Sequence, residues 1–384
     1  MKNQYIQSYV QEHYTELLSL LRQLCAIPAP SHHEQARAEF CRTWLVKQDA
    51  KGVYIDDALN VIYPLGCEGS HEITVLAAHT DTVFPDVDPM PLREDDENIY
   101  CPGVGDDTAS LAVLLMTAKY LTEQIASGSV TAPKGGILFV CNSCEEGLGN
   151  LKGTRQLMQD YAGRITRFIT FDSNLHIMNT QCVGSHRYQV TVKTEGGHSF
   201  QAFGKPNAIA LLSQIVSRIY EITVPQLGSA RTSYNVGIIQ GGTSVNTIAQ
   251  EAQMLCEYRS DSAECLRIME QEFDQIFRRA AEQEGCEILV ERIGERPCAA
   301  PVEPAAMEQL AAACRDVIES VIHTSVTCKS ASTDCNIPLS LGIPAVCIGV
   351  YRGGGSHTRE EWVEKESLKQ GLEVALRLVS GWDS

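Results

Sequence analysis

The sequence predicts an α/β fold, built on a sheet with helices on both faces, into which a smaller α+β domain is inserted. Buried strand-like runs alternate with amphipathic helical runs over residues 1–181 and again over residues 296–384, which is typical of a sheet covered on both faces. Between these segments, residues 182–295 follow the order strand, helix, strand, strand, helix, strand. That order predicts a ferredoxin-like unit. We therefore expect a discontinuous main domain, interrupted by one inserted domain.

The first segment is predicted mainly from periodicity. Apolar residues recur at helical spacing over residues 3–25 and 109–125, so both stretches are expected to be helices. Ser31 and Glu34 fit a capping box, which predicts a second helix from there to about residue 45. A further helix is expected within residues 153–161. Short apolar runs bounded by turn residues predict strands at residues 52–55, 61–63, 73–78, 136–141 and 167–171.

The remaining elements follow from the same reasoning. In the inserted domain, strands are expected at residues 187–193, 232–239, 251–258 and 287–292, with helices at 207–222 and 263–284. Alternation of helix and strand then resumes over residues 307–377, where the last buried strand covers residues 343–350.

Composition excludes several classes of function. The chain has 384 residues and a formal net charge of −17, which argues against nucleic acid or an anionic membrane as a partner. No apolar run reaches the roughly 18 residues of a membrane span, and the N-terminus lacks the apolar region of a signal peptide. The 15 cysteines are odd in number and fall mostly within apolar patterns, so we expect buried thiols and a cytoplasmic protein.

Acidic and histidine residues follow the predicted strands at five places. They are His79 with Asp81, Asp106 with Asp107, Glu145 with Glu146, Asp172, and His357. Loops at the carboxyl ends of strands in an open α/β sheet converge on one crevice. Each motif alone is common without function, so the prediction depends on their combination. Two imidazoles and several carboxylates at one crevice predict a site for two divalent metal ions, and hence a metal-dependent hydrolase.

Two of these motifs have a more specific chemical interpretation. Asp81 is close enough in sequence to hydrogen-bond the His79 imidazole and fix its orientation. In the adjacent Glu145-Glu146 pair, one carboxylate can bind metal while its neighbour acts as a general base. By contrast, the C-x-x-C formed by Cys141 and Cys144 has no second pair, and we interpret it as core packing.

Eight segments, taken together, resemble the M20 family of dimetal peptidases. They are AAHTDTVFP (77–85), GVGDDTASLAVLL (103–115), CNSCEEGLGN (141–150), FDSN (171–174), GGHSF (196–200), GGTSVNTIA (241–249), STDCNIP (332–338) and GGGSHTREEWV (353–363). The segments occur in the family's order and extend over nearly the whole chain. Within the family, they most resemble those of peptidase T-like tripeptidases. The resemblance implies a zinc-peptidase-like catalytic domain with a mixed sheet, and an inserted ferredoxin-like lid domain.

The resemblance also implies a role for each residue of the metal site. Asp106 would bridge two metal ions, most simply zinc, with cobalt or manganese as alternatives. His79 and Asp172 would complete the shell of one ion, and Glu146 and His357 that of the other. Glu145 would be the general base that activates the attacking water, and Asp81 would orient His79. Asp107 would brace the loop.

Three residues of the inserted domain match substrate-binding positions of the family. His198 would stabilise the tetrahedral oxyanion, often by reaching across a dimer, and a homodimer through the lid is therefore an expectation. Asn246 and Arg259 would hold polar groups of the substrate. For Arg259 a salt bridge within the lid is the alternative, and for Asn246 a turn-capping role is equally open.

The resemblance implies an enzyme that cleaves amide bonds of small peptides, as an aminopeptidase on dipeptides or tripeptides. Many relatives carry Lys two positions after the bridging acid, whereas this chain has Thr108, and residues 329–332 also differ from peptidase T. These departures bear on specificity, so an N-acyl amino acid amidohydrolase or a carboxypeptidase G-like enzyme is the nearest alternative. A metal or peptide binder without activity and a cysteine-dependent redox protein are alternatives from other classes.

Overall fold

The structure, a computed structural model, describes residues 2–131 and 133–381. The chain divides into two compact units, one formed by Met1–Cys182 with Ala300–Ser384 and the other by Val183–Ala299. Among the described residues, no helix is both long enough and apolar enough to cross a membrane. The 15 cysteines are free thiols, and most are buried, as the composition predicts.

The first unit contains the following elements before the chain enters the second. They are α1 (Lys2–Cys25), α2 (Gln35–Lys47), β1 (Tyr54–Ile55), β2 (Val61–Leu65), β3 (Ile73–His79), β4 (Arg93–Glu94), β5 (Asn98–Tyr100), α3 (Ser110–Ala126), β6 (Ile137–Asn142), α4 (Lys152–Asp160), β7 (Ile165–Phe171) and β8 (Ile177–Cys182).

The second unit and the return to the first contain the other elements. The second unit has β9 (Gly184–Thr194), β10 (Gly197–His198), α5 (Ala208–Tyr220), β11 (Thr232–Gly241), β12 (Thr247–Ile248), β13 (Glu251–Ser260), α6 (Ala263–Ala281) and β14 (Cys286–Arg296). The return has α7 (Pro304–Ile322), β15 (Thr327–Ala331), α8 (Asn336–Ser340), β16 (Ala345–Ile348), β17 (Gly353–Gly354), β18 (Trp362–Glu364) and α9 (Ser367–Gly381).

An eight-stranded mixed sheet forms the centre of the first unit, in the order β1-β2-β6-β3-β7-β16-β8-β15. The four central strands β6, β3, β7 and β16 are parallel. Along β3, Leu76 and Ala78 pack into one apolar cluster with α1, α3 and α9, whereas Val75 and Ala77 pack into another with α4 and α8. Both faces of the sheet are therefore covered, which confirms the predicted fold class.

The second unit is ferredoxin-like, as predicted. Its four long strands are antiparallel in the order β11-β13-β9-β14. Helices α5 and α6 cover one face, where Leu212 and Phe273 pack against Val190 and Met254 of the sheet. A short ribbon of β10 with β12 accompanies this sheet.

Two local expectations differ from the structure. Helix α2 begins at Gln35, and Glu34, its N-cap residue, makes no side-chain capping bond, so the capping-box prediction is wrong. The sequence pattern also gave no sign of the small antiparallel sheet β17-β18-β5-β4. Strands of two or three residues are too short to display an alternation of apolar and polar positions. This sheet pairs Ile99 with Val363 and so joins the segment before Asp106 to the segment after His357.

Candidate metal centre

The carboxyl ends of the parallel strands deliver the predicted residues to one edge of the sheet. His79 is the last residue of β3 and pairs with Asn142, the last residue of β6. Asp172 directly follows β7, which pairs in register with β16. Because parallel strands end at the same edge, their following loops converge there, as the sequence predicts.

Asp106 lies between the two histidines. Its Oδ1 is 3.0 Å from His79 Nε2, and its Oδ2 is 3.0 Å from His357 Nε2. His357 Nε2 is also 3.3 Å from Glu146 Oε1. A carboxylate with one oxygen facing each imidazole has the geometry of a bridging ligand. Burial favours the neutral acid, but the hydrogen bonds to His357 and His79 outweigh it and lower the pKa of Asp106.

Two overlapping sets of side chains bring their ligand atoms within 4.8 Å of one another: His79 with Asp106 and Glu146, and His79 with Asp107 and Asp172. The first set contains three of the five expected ligands, but it groups His79 with Glu146, which the resemblance assigns to different ions. The second adds Asp107, for which the sequence indicated only a brace. Its Oδ2 does accept the backbone N–H of His79 at 3.0 Å.

The charges of this cluster favour bound cations. Burial, followed by the charge of Asp106, raises the pKa of Glu146 to about 7 and holds that of Asp172 well above its usual value. In the described part of the chain, no Lys or Arg forms an ion pair with Asp106, Asp107, Glu146 or Asp172. Buried carboxylates repel one another unless cations compensate them. The imidazole and carboxylate donors therefore fit divalent metal ions.

The orientation of His79 depends on the main chain as well as on Asp81. Burial alone would lower the pKa of His79, but Asp107, Asp106 and Asp81 raise it well above its usual value. His79 Nδ1 is 3.0 Å from the backbone carbonyl oxygen of Asp81 and 3.4 Å from its carboxylate oxygen Oδ1. A proton on Nδ1 bonds to that carbonyl and leaves Nε2 facing Asp106.

The Asp81 carboxylate instead organises the loop of the adjacent glutamates. Its Oδ1 accepts the backbone N–H of Glu145 and its Oδ2 that of Glu146, both at 2.9 Å. The Ser31 hydroxyl donates to Oδ2 at 2.7 Å. Burial opposes the charged form, but His79, Ser31 and the Glu146 N–H lower the pKa of Asp81. Sequence reasoning assigned Ser31 to a capping box and missed this contact, because Asp81 lies 50 residues further along the chain.

A second buried acid lies close to Glu145. Asp334, in the STDCNIP segment, is fully buried and accepts a hydrogen bond from Asn142 Nδ2 at 2.6 Å and another from the Thr154 hydroxyl. Burial and the charge of Glu145 raise the pKa of Asp334 to about 7. The sequence analysis quoted this segment but assigned Asp334 no role.

Thr108 belongs to a buried polar contact next to the Asp106 loop. Its hydroxyl donates to the carbonyl of Gly103 at 2.6 Å. Arg37, which is also buried, donates from Nη1 to the carbonyl of Thr80 at 2.9 Å and to Thr108 Oγ1 at 3.3 Å. The guanidinium therefore connects the loop after β3 to the Asp106 loop.

The predicted substrate-binding residues all lie in the second unit. His198 of β10 pairs with Thr247 of β12, which brings it next to Asn246. Both are exposed, and the Asn246 side chain accepts a hydrogen bond from the Ser244 hydroxyl. Arg259 forms two bonds to Glu257, from Nε at 2.7 Å and from Nη2 at 3.0 Å, as its salt-bridge alternative requires.

Comparison with known proteins identifies the family of the chain. A model of peptidase family M20/M25/M40 matches residues 75–381. The succinyl-diaminopimelate desuccinylase of Corynebacterium glutamicum is 24% identical over 357 residues, which cover 91% of this chain and 92% of that protein. Several solved structures share the fold, among them the following two. Aminopeptidase PepT from Bacillus cereus has a TM-score of 0.72 at 18% identity, and the match covers 97% of this chain and 99% of the PepT chain.

The second structure is the YXEP protein of Bacillus subtilis, described as a dinuclear metal binding peptidase of the M20 family. It has a TM-score of 0.63 at 18% identity and covers 96% of this chain and 99% of its own. The family model spans most of the chain, and the His, Asp and Glu side chains at the sheet edge supply candidate ligands for a dinuclear centre. The chain therefore belongs to peptidase family M20/M25/M40 and is a metallohydrolase of that family.

Proposed function

We propose that this enzyme hydrolyses amide bonds of small peptides, as an aminopeptidase acting on dipeptides and tripeptides. The observation that carries the proposal is the placement of Asp106, with one oxygen 3.0 Å from His79 Nε2 and the other 3.0 Å from His357 Nε2. The likeness in fold to aminopeptidase PepT supports a peptide as substrate.

The ligands of the two ions are part of this proposal. Asp106 would be shared, His79 and Asp172 would serve one ion, and Glu146 and His357 the other. Imidazole with carboxylate suits zinc, and cobalt and manganese accept the same donors. When bound, such ions polarise a carbonyl group and make a water molecule more acidic.

Glu145 is the proposed general base. It is buried, it directly precedes Glu146, and the Asp81 carboxylate holds its backbone N–H. A carboxylate so placed takes a proton from the attacking water and delivers it to the leaving amine. Asp81 holds both glutamates in one loop conformation, so the base and its neighbouring ligand keep a fixed relation.

The second unit is proposed as the lid that binds substrate. The exposed His198 would donate a hydrogen bond to the oxyanion, and Asn246 and Arg259 would bind polar groups of the substrate. The Arg259 guanidinium bonds to both carboxylate oxygens of Glu257. A substrate carboxylate could accept the same pair of bonds, so Arg259 would exchange one carboxylate for the other when substrate binds.

A homodimer through the lid is a further part of the proposal. Strand β11 borders the four-stranded sheet, and Ile238 and Ile239 on it are 53% and 54% exposed. An exposed edge strand offers unpaired N–H and C=O groups to a second copy. Sedimentation velocity tests this, and an Ile239→Lys variant is expected to sediment as a monomer where the wild type is a dimer.

An N-acyl amino acid amidohydrolase is the second candidate function. It is favoured by the similarity to the desuccinylase of Corynebacterium glutamicum over 91% of this chain. The two candidates differ in the group next to the scissile bond, which is a free amine in one case and an acyl chain in the other.

The deciding experiment compares substrates on purified protein reconstituted with zinc, cobalt or manganese. Free-amine tripeptides, dipeptides, N-acetyl and N-succinyl amino acids are assayed with and without chelator. Chelator-sensitive release of the first residue from free-amine peptides supports the aminopeptidase. Activity confined to acylated substrates would replace it by the amidohydrolase, and activity insensitive to complete metal removal would contradict the metal mechanism.

A further inference from the structure

A buried carboxylate, Glu361, receives three backbone N–H groups of the loop that carries Asp106. Its side chain is nearly inaccessible, with the residue 1% exposed. Oε2 accepts from Gly103 at 2.8 Å, and Oε1 accepts from Gly105 at 2.9 Å and from Asp106 at 2.7 Å. Three N–H groups of one loop converge on this single carboxylate, so the side chain constrains the loop firmly.

The two glycines allow the loop to approach the carboxylate closely. Gly103 has a φ of 74°, and a Cβ there would lie 2.6 Å from the Thr82 side chain. A Cβ at Gly105 would lie 3.0 Å from Glu361 Oε1. A larger residue at Gly103 would therefore collide with Thr82, and one at Gly105 would press on the carboxylate itself. The GVGDD segment is therefore shaped to fit around this side chain.

Glu361 also belongs to the segment that carries His357, four residues earlier. Its own carbonyl accepts the backbone N–H of Cys101 at 3.1 Å, which fastens this segment to the start of the Asp106 loop. Within the site, His357 Nε2 and Asp106 Oδ2 are 3.0 Å apart. One residue thus holds together the two loops whose side chains meet.

We propose that Glu361 is a positioning residue that fixes the separation of Asp106 and His357, and thereby sets the affinity for the metal ion that these two residues share. This inference rests on the proposed function, since it takes Asp106 and His357 as ligands. Outer-shell partners of metal ligands typically contribute about 10–100-fold in metal affinity. We expect a loss of that order when the carboxylate of Glu361 is removed.

The adjacent Glu360 provides a matched control. Its side chain is 79% exposed and pairs with Arg93 at 3.0 Å on the surface. Glu360→Gln makes the same substitution one residue away without touching the Asp106 loop. Any general effect of charge on metal uptake would therefore appear in both variants, whereas positioning of the loop would appear only in Glu361→Gln.

The experiment measures metal binding on wild type, Glu361→Gln, Glu361→Asp and Glu360→Gln, each first stripped by chelator. Titration with Co²⁺ against a competing chelator gives stoichiometry and affinity, and the visible spectrum of bound Co²⁺ reports its coordination. Thermal unfolding of the metal-free proteins and kcat and KM of the reloaded enzymes are recorded in parallel. Glu361→Asp keeps the carboxylate on a shorter side chain. If Glu361→Gln does not fold, Glu361→Asp is compared with wild type in its place.

We expect Glu361→Gln to bind one Co²⁺ about 10–100-fold more weakly, with a changed spectrum and a lower kcat at similar KM. Glu361→Asp should fall between this variant and wild type, and Glu360→Gln should match wild type. A Glu361→Gln protein that binds two Co²⁺ ions with wild-type affinity and spectrum would overturn the inference, whatever its thermal stability. Failure of the proposed function is separate, because the wild type itself would then not take up two ions or not hydrolyse any substrate.

Discussion

The Asp81 carboxylate accepts the backbone N–H of Glu146 through Oδ2, at 2.9 Å. The same carboxylate accepts the N–H of Glu145 through Oδ1, and its residue offers the carbonyl that His79 Nδ1 meets. Asp81 thus connects the end of β3 to the loop after β6. A residue that the sequence associates with one histidine organises both sides of the candidate centre.

Replacing Asp81 by Asn is therefore expected to affect more than His79. An amide has only one oxygen to accept the two N–H groups, so the loop of Glu145 and Glu146 loses one of its anchors. We expect metal affinity to fall by about 10–100-fold and kcat to fall with it. Metal titration and steady-state kinetics measure both effects.

Ser31→Ala is the matched control for this variant, because it removes a donor to Asp81 and leaves the carboxylate in place. It should weaken metal binding less than Asp81→Asn does. Equal effects in the two variants would show that the loop N–H groups are not what makes Asp81 important.

The adjacent glutamates should respond differently to the same substitution. Glu145→Gln removes the proposed base and is expected to lower kcat by about 10²–10⁴-fold while both metal ions remain bound. Glu146→Gln removes a proposed ligand and should lose metal as well as activity. Metal content by atomic absorption, measured on the same samples as kcat, separates the two outcomes. Wild-type activity in Glu145→Gln would contradict the base assignment.

The strand-end residues were predictable because burial and strand length leave a clear pattern in the sequence. Strand β3 ends at His79, β6 ends directly before Ser143, and β7 ends directly before Asp172. Once the strands are placed, the rule for open α/β sheets brings these ends together. The same reasoning predicted the ferredoxin-like order of the second unit, since its strands and helices have ordinary lengths.

Contacts between distant segments were not predictable from local rules. Glu34 fits a capping box in the sequence, yet in the structure its carboxylate accepts the backbone N–H of Cys144 at 3.0 Å. A hydrogen bond to a distant segment can replace a local capping bond, and a pattern four residues long does not show which of the two forms. Glu361 was overlooked for a related reason, because its three N–H donors lie more than 250 residues earlier in the chain.

The pH dependence of stability should include a contribution from His186 in the second unit. Its Nδ1 is 2.6 Å from the Tyr258 hydroxyl, and burial, followed by the charge of Arg292, lowers the pKa of His186. Glu270, Glu295 and Asp274 act in the opposite direction without reversing the shift. The unfolded chain therefore binds the proton first as pH falls. The contribution of His186 to the free energy of unfolding is fully present above about pH 6.5 and is lost as the pH falls below that value.

Thermal unfolding of metal-free protein at pH 7.5 and pH 5.5 tests this contribution. His186→Gln should lose less stability than wild type between these two pH values, because it has no imidazole to protonate. His71→Gln, at an exposed position, is the control and should lose as much as wild type. The same loss in His186→Gln and wild type would show that His186 does not contribute.

Arg259 allows the substrate-clamp and salt-bridge interpretations to be separated by kinetics. Its guanidinium is bonded to Glu257, which also accepts from Arg187 Nε at 3.2 Å. If Arg259 binds a substrate carboxylate, Arg259→Lys should raise KM roughly tenfold or more for peptides with a free C-terminus and leave C-terminal amides unaffected. We expect this result.

Glu257→Gln breaks the same salt bridge but keeps the guanidinium, so it should lower thermal stability without raising KM. If both variants lose stability equally and KM stays unchanged, Arg259 is only a brace within the sheet.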